Sequence, residues 1–345
     1  MAASGGHWKN LAEAQKLSQE RKVAGVIQEN IKRGGLMELL PVMQQSGTEL
    51  QWLREAVVGT STRASVGDQL AWSDEFTYDK ITEALVIRYK QTPLDNYVRD
   101  VYGTFNNYAS IQLMEDRKAI IQGINDDLIY GDPANGPATT QEPRGLHYLG
   151  YLYGEGLDRP TNEIDIDEAE AGLSLANLRQ IERGMQYGID FWLFPPVILD
   201  RLSAYVQEAG LSTNTFGGIN FTLDELGRKV TKWNGTPIIS SDYLVAEQAN
   251  TGVGSNARAK NTSGTENFSV FAIKTGQVVR KEPGLTFAFG GQGASPGEPL
   301  MTRFFPTLED YDASGVRNTV YYNLADGSSM AIGRIYDITD VAVVA

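Results

Sequence analysis

The sequence predicts a mixed α+β fold, and three features of the chain support this class. Residues 55–90 are rich in β-forming side chains, and Leu85, Ile87 and Tyr89 alternate with polar residues, which predicts strands. Residues 94–130 place apolar side chains at three- and four-residue steps, which predicts one long helix. Short apolar runs in the second half of the chain predict further, buried strands.

The start of the chain predicts an amphipathic helix over residues 8–33, ended by Gly34 and Gly35. Up to residue 40 this segment has six basic and four acidic side chains, so it is locally basic within an acidic chain. Two interpretations stay open. The helix packs on its own domain, or it is an arm that docks on a neighbouring subunit.

Residues 55–90 predict a long two-stranded ribbon. Its strands are expected within residues 55–59, 70–78 and 81–89, and the small polar residues 60–67 are expected to form a flexible tip. An isolated hairpin is only marginally stable in water. The ribbon therefore needs support from elsewhere.

The second half of the chain predicts helices, buried strands and one hairpin. A helix is expected over residues 167–187 with Asp167 as its N-cap, and another over 196–209 that starts with proline. A hairpin is expected from residues 319–324 and 330–336 around an Asp-Gly turn. Buried strands are expected at residues 191–195, 232–239, 268–273 and 285–289.

The composition excludes several kinds of site. The chain has 345 residues, which at roughly 150 residues per domain predicts about two domains. With no cysteine and two histidines, His7 and His147, it cannot hold a disulfide, a thiolate-bound metal or a cysteine nucleophile.

The net charge of −13 argues against a protein whose task is to grip nucleic-acid phosphates. It is compatible with a shell around DNA, because a repelling wall keeps the enclosed DNA mobile. No apolar run approaches the roughly 20 residues of a membrane span. Residues 1–10 lack a secretion signal. We therefore expect a protein that stays in the cytoplasm until lysis and has no membrane partner.

The motifs that suggest catalysis are weak, so we expect no enzyme, no cofactor and no metal site. A G-x-S-x-G pattern spans residues 293–297, but Pro296 has no N–H for an oxyanion hole, and no histidine follows. The acidic run at 165–170 has Glu170 where a calcium loop needs glycine. No phosphate-binding P-loop occurs. A hydrolase or carbohydrate-binding protein that uses a pair of carboxylates stays an alternative.

The order of these elements resembles the major capsid proteins of tailed bacteriophages with the Hong Kong 97-type fold. The resemblance covers nearly the whole chain by order of elements, and each motif is short. The matching motifs are YGD at residues 130–132, RGL at 144–146, WNGTPII at 233–239, FSVFAI at 268–273 and MAIGRIY at 330–336.

The resemblance implies a structural subunit that self-assembles into hexamers and pentamers of an icosahedral viral head. That head encloses double-stranded DNA without sequence-specific binding, and it is assembled in the host cytoplasm. The implied partners are further copies of the chain, a scaffolding protein, a portal and a decoration protein. An encapsulin-like nanocompartment shell is the alternative.

The resemblance also implies a division of the chain into parts. These parts are an N-terminal arm (1–50), an extended β-ribbon loop (51–90), a peripheral domain with the spine helix (91–190, completed by about 300–335) and an axial domain (191–299, completed by about 336–345).

Ten residues are expected to contact neighbouring subunits. They are Trp8, Lys16, Arg21, Lys22, Arg63, Trp72, Phe76, Tyr78, Arg88 and Asn318. Asn318 is similar in position to the acceptor asparagine of the cross-linking capsid proteins. The donor would be a lysine near the ribbon tip, but the nearest lysine is Lys80. The resemblance therefore implies a shell held together without covalent bonds.

Overall fold

The structure is a computed structural model, and it describes most of the chain from residue 30 onward. The described residues are 30, 32–45, 47, 49–57, 61, 63–67, 69, 77–97, 100, 108–133, 142–154, 164–208, 215–216, 219–223, 229–249, 258–262, 266–291, 299–308 and 312–344. The predicted N-terminal helix lies almost wholly outside these ranges. Residues 30, 32 and 33 are not helical, so that helix does not extend to Gly34.

Helices and strands are numbered here in chain order. The α-helices are α1 (Leu36–Leu39), α2 (Tyr108–Tyr130), α3 (Leu146–Gly154), α4 (Leu175–Gly184) and α5 (Pro196–Glu208). The strands are β1 (Val42–Gln45), β2 (Glu49–Val57), β3 (Thr77–Ala84), β4 (Val86–Asp95), β5 (Asp165–Asp167), β6 (Phe191–Phe194), β7 (Thr215–Phe216), β8 (Ile219–Leu223), β9 (Lys229–Trp233), β10 (Thr236–Ser240), β11 (Glu247–Ala249), β12 (Arg258–Lys260), β13 (Asn267–Ile273), β14 (Leu285–Gly290), β15 (Met301–Phe305), β16 (Ala313–Asp326) and β17 (Ile332–Thr339).

The larger sheet has ten strands among the described residues, in the order β12-β11-β13-β6-β10-β9-β8-β7. Strand β17 pairs with β13, and β5 pairs with β17. Strands β6 and β13 run antiparallel to each other and are buried along their whole length. A strand covered on both faces is apolar at successive positions, which explains the FWLF sequence of β6.

The smaller sheet is built around the long strand β16. From Ala313 to Tyr322, β16 pairs antiparallel with β4 on one side. On its other side it pairs with β15 through its first half and with β14 through its second half. Strand β1 extends this sheet by a parallel pairing with β14.

Two hydrophobic cores share the larger sheet as a common wall. The first core lies against helices α2 and α3, and the second lies against α4 and α5. Strand β6 contributes to both, because Phe191 and Leu193 belong to the first core while Trp192 and Phe194 belong to the second. The two sheets and four of the helices are therefore packed into one body.

The predicted strands at 191–195, 268–273 and 285–289 and the helix at 196–209 are confirmed. Within the predicted helix of residues 94–130, residues 96–97, 100 and 108–130 are helical, whereas Leu94 lies in strand β4, so the predicted start at Leu94 is wrong. A four-residue step of apolar side chains fits a strand of period two as well as a helix, and this caused the error. Residues 98–99 and 101–107 of the predicted helix lie outside the described residues.

The predicted hairpin of residues 319–324 and 330–336 is wrong. The chain does turn after Asp326, but β16 stays in the smaller sheet while β17 joins the larger one. There β17 runs antiparallel to β13, from Ile332 opposite Ile273 to Thr339 opposite Asn267. The Asp-Gly sequence correctly predicts a turn after Asp326. It does not predict which strands pair, because pairing depends on tertiary packing.

The predicted N-cap at Asp167 is wrong as well. Asp167 ends strand β5, and its Oδ1 accepts a hydrogen bond from the N–H of Ala169 at 2.8 Å. Helix α4 begins at Leu175, after Ser174. The side chain that stabilises this start is Glu168, whose Oε1 accepts a hydrogen bond from the Ser174 N–H at 3.0 Å.

Candidate assembly surface

Strands β2 and β3 form a two-stranded ribbon that pairs with no third strand among the described residues. They are antiparallel, from Glu49 opposite Ala84 to Val57 opposite Thr77. Because side chains alternate along a strand, the ribbon has two different faces. We call the face of Leu50, Trp52, Arg54, Ile81 and Glu83 the inner face, and that of Gln51, Leu53, Glu55, Tyr78, Lys80 and Thr82 the outer face.

The inner face is anchored by apolar packing. Leu50 and Trp52 are only 5% and 9% exposed, and they form a small cluster with Met43, Ala288 and Ala325 of strands β1, β14 and β16. Burial of a side chain the size of Leu50 contributes about 1.5–3 kcal/mol to stability. The predicted need of the ribbon for support is thus met by the smaller sheet.

Polar contacts also tie the ribbon to the body of the protein. Asn323 of β16 donates a hydrogen bond from Nδ2 to the carbonyl of Ala84 at 2.7 Å. Glu83 pairs with Arg144, which precedes α3, at 3.0 Å. Arg54 lies 3.9 Å from Asp326 at the end of β16. Both strands of the ribbon are therefore fastened to the body of the protein.

The outer face presents large apolar side chains to solvent. Leu53 is 69% exposed and Tyr78 is 66% exposed. The charged residues Glu55 and Lys80 are exposed beside them. Apolar groups set among charges are common at surfaces that bind another protein. Tyr78, one of the predicted contact residues, therefore lies where a neighbouring subunit can reach it, and the contact itself stays a prediction.

Arg88 of strand β4 is engaged within the chain. Its guanidinium pairs with Asp127 of α2, and the Tyr322 hydroxyl donates a hydrogen bond to the same carboxylate. Burial lowers the pKa of Arg88, but the attraction of Asp127 outweighs it and the pKa lies above its ordinary value. Arg88 therefore fastens β4 to α2, and its predicted contact with a neighbour stays a prediction.

Asn318 is fully buried in the single chain. Its Oδ1 accepts a hydrogen bond from the Thr302 hydroxyl at 2.8 Å, and in the sheet it stands opposite Lys90 of β4. Lys80, by contrast, lies exposed on the outer face of the ribbon. The side chain of Asn318 thus contacts its own chain, and its role between subunits stays a prediction.

The other predicted contact residues fall into two groups. Arg63 is exposed and belongs to no helix or strand. The remaining six, Trp8, Lys16, Arg21, Lys22, Trp72 and Phe76, lie outside the described residues.

Several charged groups are buried in the body of the protein, where they hold elements together. Arg334 pairs with Asp165 through two hydrogen bonds of 2.6 and 2.8 Å. His147 lies 3.0 Å from Glu247, which also accepts a hydrogen bond from Tyr130. Burial lowers the pKa of His147 despite the nearby Glu247, so the imidazole is neutral at pH 7. At 1% exposure His147 has no access to a substrate.

Within the described part of the chain, no group of three or more His, Cys, Asp or Glu side chains is arranged to hold a metal ion. In the same part, no helix has both the length and the apolar character that crossing a membrane requires.

The anchoring residues of the ribbon were not found from the sequence. Arg54 and Asp326 are 272 positions apart, and neither stands in a recognisable motif. Leu50, Gln51 and Trp52 alternate between apolar and polar until Leu53 interrupts the alternation, and they precede residue 55, where the predicted strands begin. That alternation was the available signal for the inner face.

Comparison with known proteins gives structural matches only. No family model matches the chain, and no curated protein matches it by sequence. The chain is similar over 100% of its length to the holo-SrpI encapsulin complex of Synechococcus elongatus, with a TM-score of 0.65, 13% identity and 99% of that chain covered.

Two further matches come from other particles. The capsid of a native GTA particle matches with a TM-score of 0.59 and 12% identity, covering 98% of this chain and 100% of that chain. The capsid of the cyanophage P-SCSP1u matches with a TM-score of 0.55 and 11% identity, covering 92% of each chain.

These full-length matches place the chain in the class of capsid-type α+β folds. In particular, the chain has the Hong Kong 97-type fold that the order of its elements predicts. At identities of 11–13% the matches establish the fold, and function is argued separately.

Proposed function

We propose that the chain is a major capsid protein, the structural subunit of an icosahedral viral head around double-stranded DNA. The ribbon carries this proposal, because its inner face is anchored while Leu53 and Tyr78 of its outer face stay exposed. A surface of this kind is complete only when a second molecule covers it. In a shell, that molecule is another copy of the chain, within hexamers and pentamers.

The charge of the chain supports the same proposal. At −13 the subunit does not attract DNA strongly, so many copies form a wall that leaves the enclosed genome mobile. At the start of the chain, up to residue 40, basic side chains outnumber acidic ones by six to four. We therefore propose that the shell encloses DNA without recognising its sequence.

The division into arm, ribbon, peripheral and axial domains is part of the proposal. Ranges 1–50, 51–90, 91–190 and 191–299 describe these parts, and the larger sheet is mainly axial. Within 191–299, strand β14 pairs with β16 in the smaller sheet, which links the axial range to the peripheral one. Strand β17 returns the end of the chain to the larger sheet.

The subunit is proposed to be structural and without enzymatic activity, and to be part of the virion after assembly in the host cytoplasm. The buried carboxylates Asp165 and Glu247 support this, because each is held by neighbouring side chains of the body. A scaffolding protein, a portal and a decoration protein are the further proposed partners. The shell is proposed to be held together without covalent bonds.

A second candidate is an encapsulin-like nanocompartment shell. It is favoured by the full-length similarity to the encapsulin complex, with a TM-score of 0.65. Both candidates require the chain to assemble with copies of itself into a closed shell. They differ in what the shell contains, which is DNA in a viral head and protein cargo in a compartment.

Purification of particles from the source cells separates these candidates. We expect electron microscopy to show closed shells, and nuclease treatment to leave DNA that is released only when the shells are opened. Shells filled with a co-purifying protein and free of protected DNA would favour the nanocompartment. A chain that stays monomeric in sedimentation velocity, at every concentration and salt tested, would contradict both candidates.

A further inference from the structure

A cluster of five polar side chains lies where the ribbon meets the body of the protein. The ribbon contributes Arg54 from β2 and Glu83 from β3, and the body contributes Arg144, Tyr153 and Asp326. We call these five side chains the ribbon lock.

Asp326 is the centre of the ribbon lock. Its carboxyl group accepts hydrogen bonds from Arg144, at 3.3 Å, and from the Tyr153 hydroxyl. Arg54 lies 3.9 Å from the carboxyl group, and its guanidinium lies 5.2 Å from the centre of the Tyr153 ring. Arg144 also pairs with Glu83 at 3.0 Å, so it joins the ribbon to Asp326.

The side chain of Asp326 is completely buried. An ionised carboxyl group loses most of its hydration there, and this loss is costly unless charged partners make up for it. Arg54 is one of the partners, and it belongs to the ribbon. Movement of the ribbon away from the body would therefore separate Arg54 from Asp326 and admit water to the carboxyl group.

We propose that protonation of Asp326 controls how firmly the ribbon is docked on the body of the protein. A neutral Asp326 tolerates burial, so the ribbon stays docked. An ionised Asp326 is better hydrated when the ribbon lifts, so ionisation loosens the ribbon. This coupling is a property of the single chain and holds whether or not the chain forms shells.

The pKa shifts within the ribbon lock support this direction. Burial raises the pKa of Asp326 to about 7, although Arg144 and Arg54 act in the opposite direction. Burial also raises the pKa of Glu83, again opposed by Arg144. When the ribbon lifts and water enters, the pKa of Asp326 falls toward its ordinary value of 3.8.

The lifted form therefore binds fewer protons than the docked form. As the pH rises from about 4 to about 7, the ratio of lifted to docked ribbon increases by up to about tenfold per pH unit. Above about pH 7 Asp326 is ionised in both forms, so the ratio levels off. Acidification tightens the ribbon, and neutral pH leaves it at its loosest.

The absence of cysteine allows a direct measurement of ribbon position. Spin labels are attached at Lys80→Cys on the ribbon and Tyr187→Cys on the body, both of which replace exposed residues. Double electron–electron resonance then records their distance between pH 5 and pH 8. We expect one narrow distance at pH 5, and a second, broader population that grows up to about pH 7 and then stays constant.

Two variants identify the group that titrates. Asp326→Asn keeps the side chain neutral and should give the narrow distance at every pH. Glu83→Gln removes the other carboxyl group of the ribbon lock and should keep the pH response. A response that survives in Asp326→Asn, or that is lost only in Glu83→Gln, would overturn the proposal.

A second measurement needs no variant. Hydrogen exchange of the β2 and β3 amides in the unaltered chain, corrected for the intrinsic dependence on pH, should lose protection between pH 5 and pH 7. Protection that is constant or increases with pH would overturn the proposal even if Asp326→Asn fails to fold. Shells are scored separately by microscopy, so a negative result here leaves the capsid proposal intact.

Discussion

The guanidinium of Arg88 occupies the space that a side chain at position 123 would need. Gly123 lies in the middle of helix α2, and a Cβ added to it would overlap the Arg88 guanidinium. Glycine within a helix costs about 1 kcal/mol relative to alanine. Here that cost is offset by the ion pair of Arg88 with Asp127, which joins β4 to α2.

Replacing Gly123 by alanine should therefore destabilise the protein, although alanine favours helices. We expect Gly123→Ala to lower the free energy of unfolding by about 1–2 kcal/mol, because the displaced Arg88 loses its charged hydrogen bond. Denaturant unfolding followed by tryptophan fluorescence measures this. In an Arg88→Ala background the same change should be neutral or stabilising. An equal loss of unfolding free energy on Gly123→Ala in the parent and in Arg88→Ala would contradict the proposed clash with Arg88.

Among the ion pairs described here, we expect the largest loss of unfolding free energy when one partner of the Arg334–Asp165 pair is replaced. Both side chains are buried, at 0% and 3% exposure. Arg334→Met leaves Asp165 buried without its partner, so we expect a loss of about 3–5 kcal/mol in unfolding free energy. The matched control is Arg201→Met, because Arg201 pairs with Asp340 and both are nearly half exposed. That change should cost less than about 1 kcal/mol. Similar losses of unfolding free energy in Arg334→Met and Arg201→Met would contradict the predicted difference between a buried and an exposed ion pair.

Asp190 should make stability depend on acidic pH. Burial acts to raise the pKa of Asp190, but hydrogen bonds from Lys274 and Thr275 outweigh it and hold the pKa below the ordinary 3.8. The ionised form therefore stabilises the fold above pH 3.8, and this stability is lost as the pH falls through the lower, folded-state pKa.

Thr275→Val removes the hydroxyl donor to Asp190, so it should lower stability at pH 7 by about 1 kcal/mol. The difference from the parent should shrink at a second pH, well below 3.8, where Asp190 becomes protonated. The control is Thr339→Val, because the Thr339 hydroxyl donates to the uncharged main-chain carbonyl of Glu170. Unfolding titrations at the two pH values test this, and a difference for Thr275→Val that grows on acidification would contradict the assignment.

The outer face of the ribbon should be needed for assembly and dispensable for folding. Leu53→Ser combined with Tyr78→Ser should raise the protein concentration needed for shell formation at least about tenfold, since a lost 1.4 kcal/mol of contact energy is a factor of ten. Unfolding free energy should stay within about 0.5 kcal/mol of the parent.

Tyr187→Ser is the control for this pair, because Tyr187 is 51% exposed and follows helix α4, which packs in the second core, whereas the ribbon packs on the smaller sheet. It should leave assembly unchanged. Sedimentation velocity and electron microscopy score the shells. Normal assembly of the doubly substituted ribbon would show that the outer face contacts no neighbour.

Local sequence patterns predicted which segments form strands better than they predicted which strands pair with each other. The apolar runs of β6 and β13 were enough to locate both strands, because runs this short are typical of strands and too short for a buried helix. The pairing of β17 with β13 could not be predicted, since the Asp-Gly turn after β16 is equally suited to a hairpin. Glycine is unfavourable within a helix, so the sequence offers no reason for Gly123, whereas the structure shows Arg88 beside it.

The sequence predicted that a ribbon exists, but it did not predict the residues that anchor the ribbon to the body. The ribbon was expected from residues 55–90, but its described strands are β2 and β3, and β4 belongs to the smaller sheet. The ribbon lock depends on Arg54, Glu83 and Asp326, which come together only through tertiary folding. Charged residues that are far apart in sequence leave no periodic signal from which such a cluster could be predicted.

The most direct test of the capsid proposal is a cryo-electron microscopy reconstruction of the particles that the purified chain forms. We predict a closed icosahedral shell of hexamers and pentamers, in which the outer face of each ribbon, with Leu53 and Tyr78, lies against an adjacent subunit. A map in which the ribbons contact no neighbour, or a chain that forms no closed particle under any condition, would contradict this prediction.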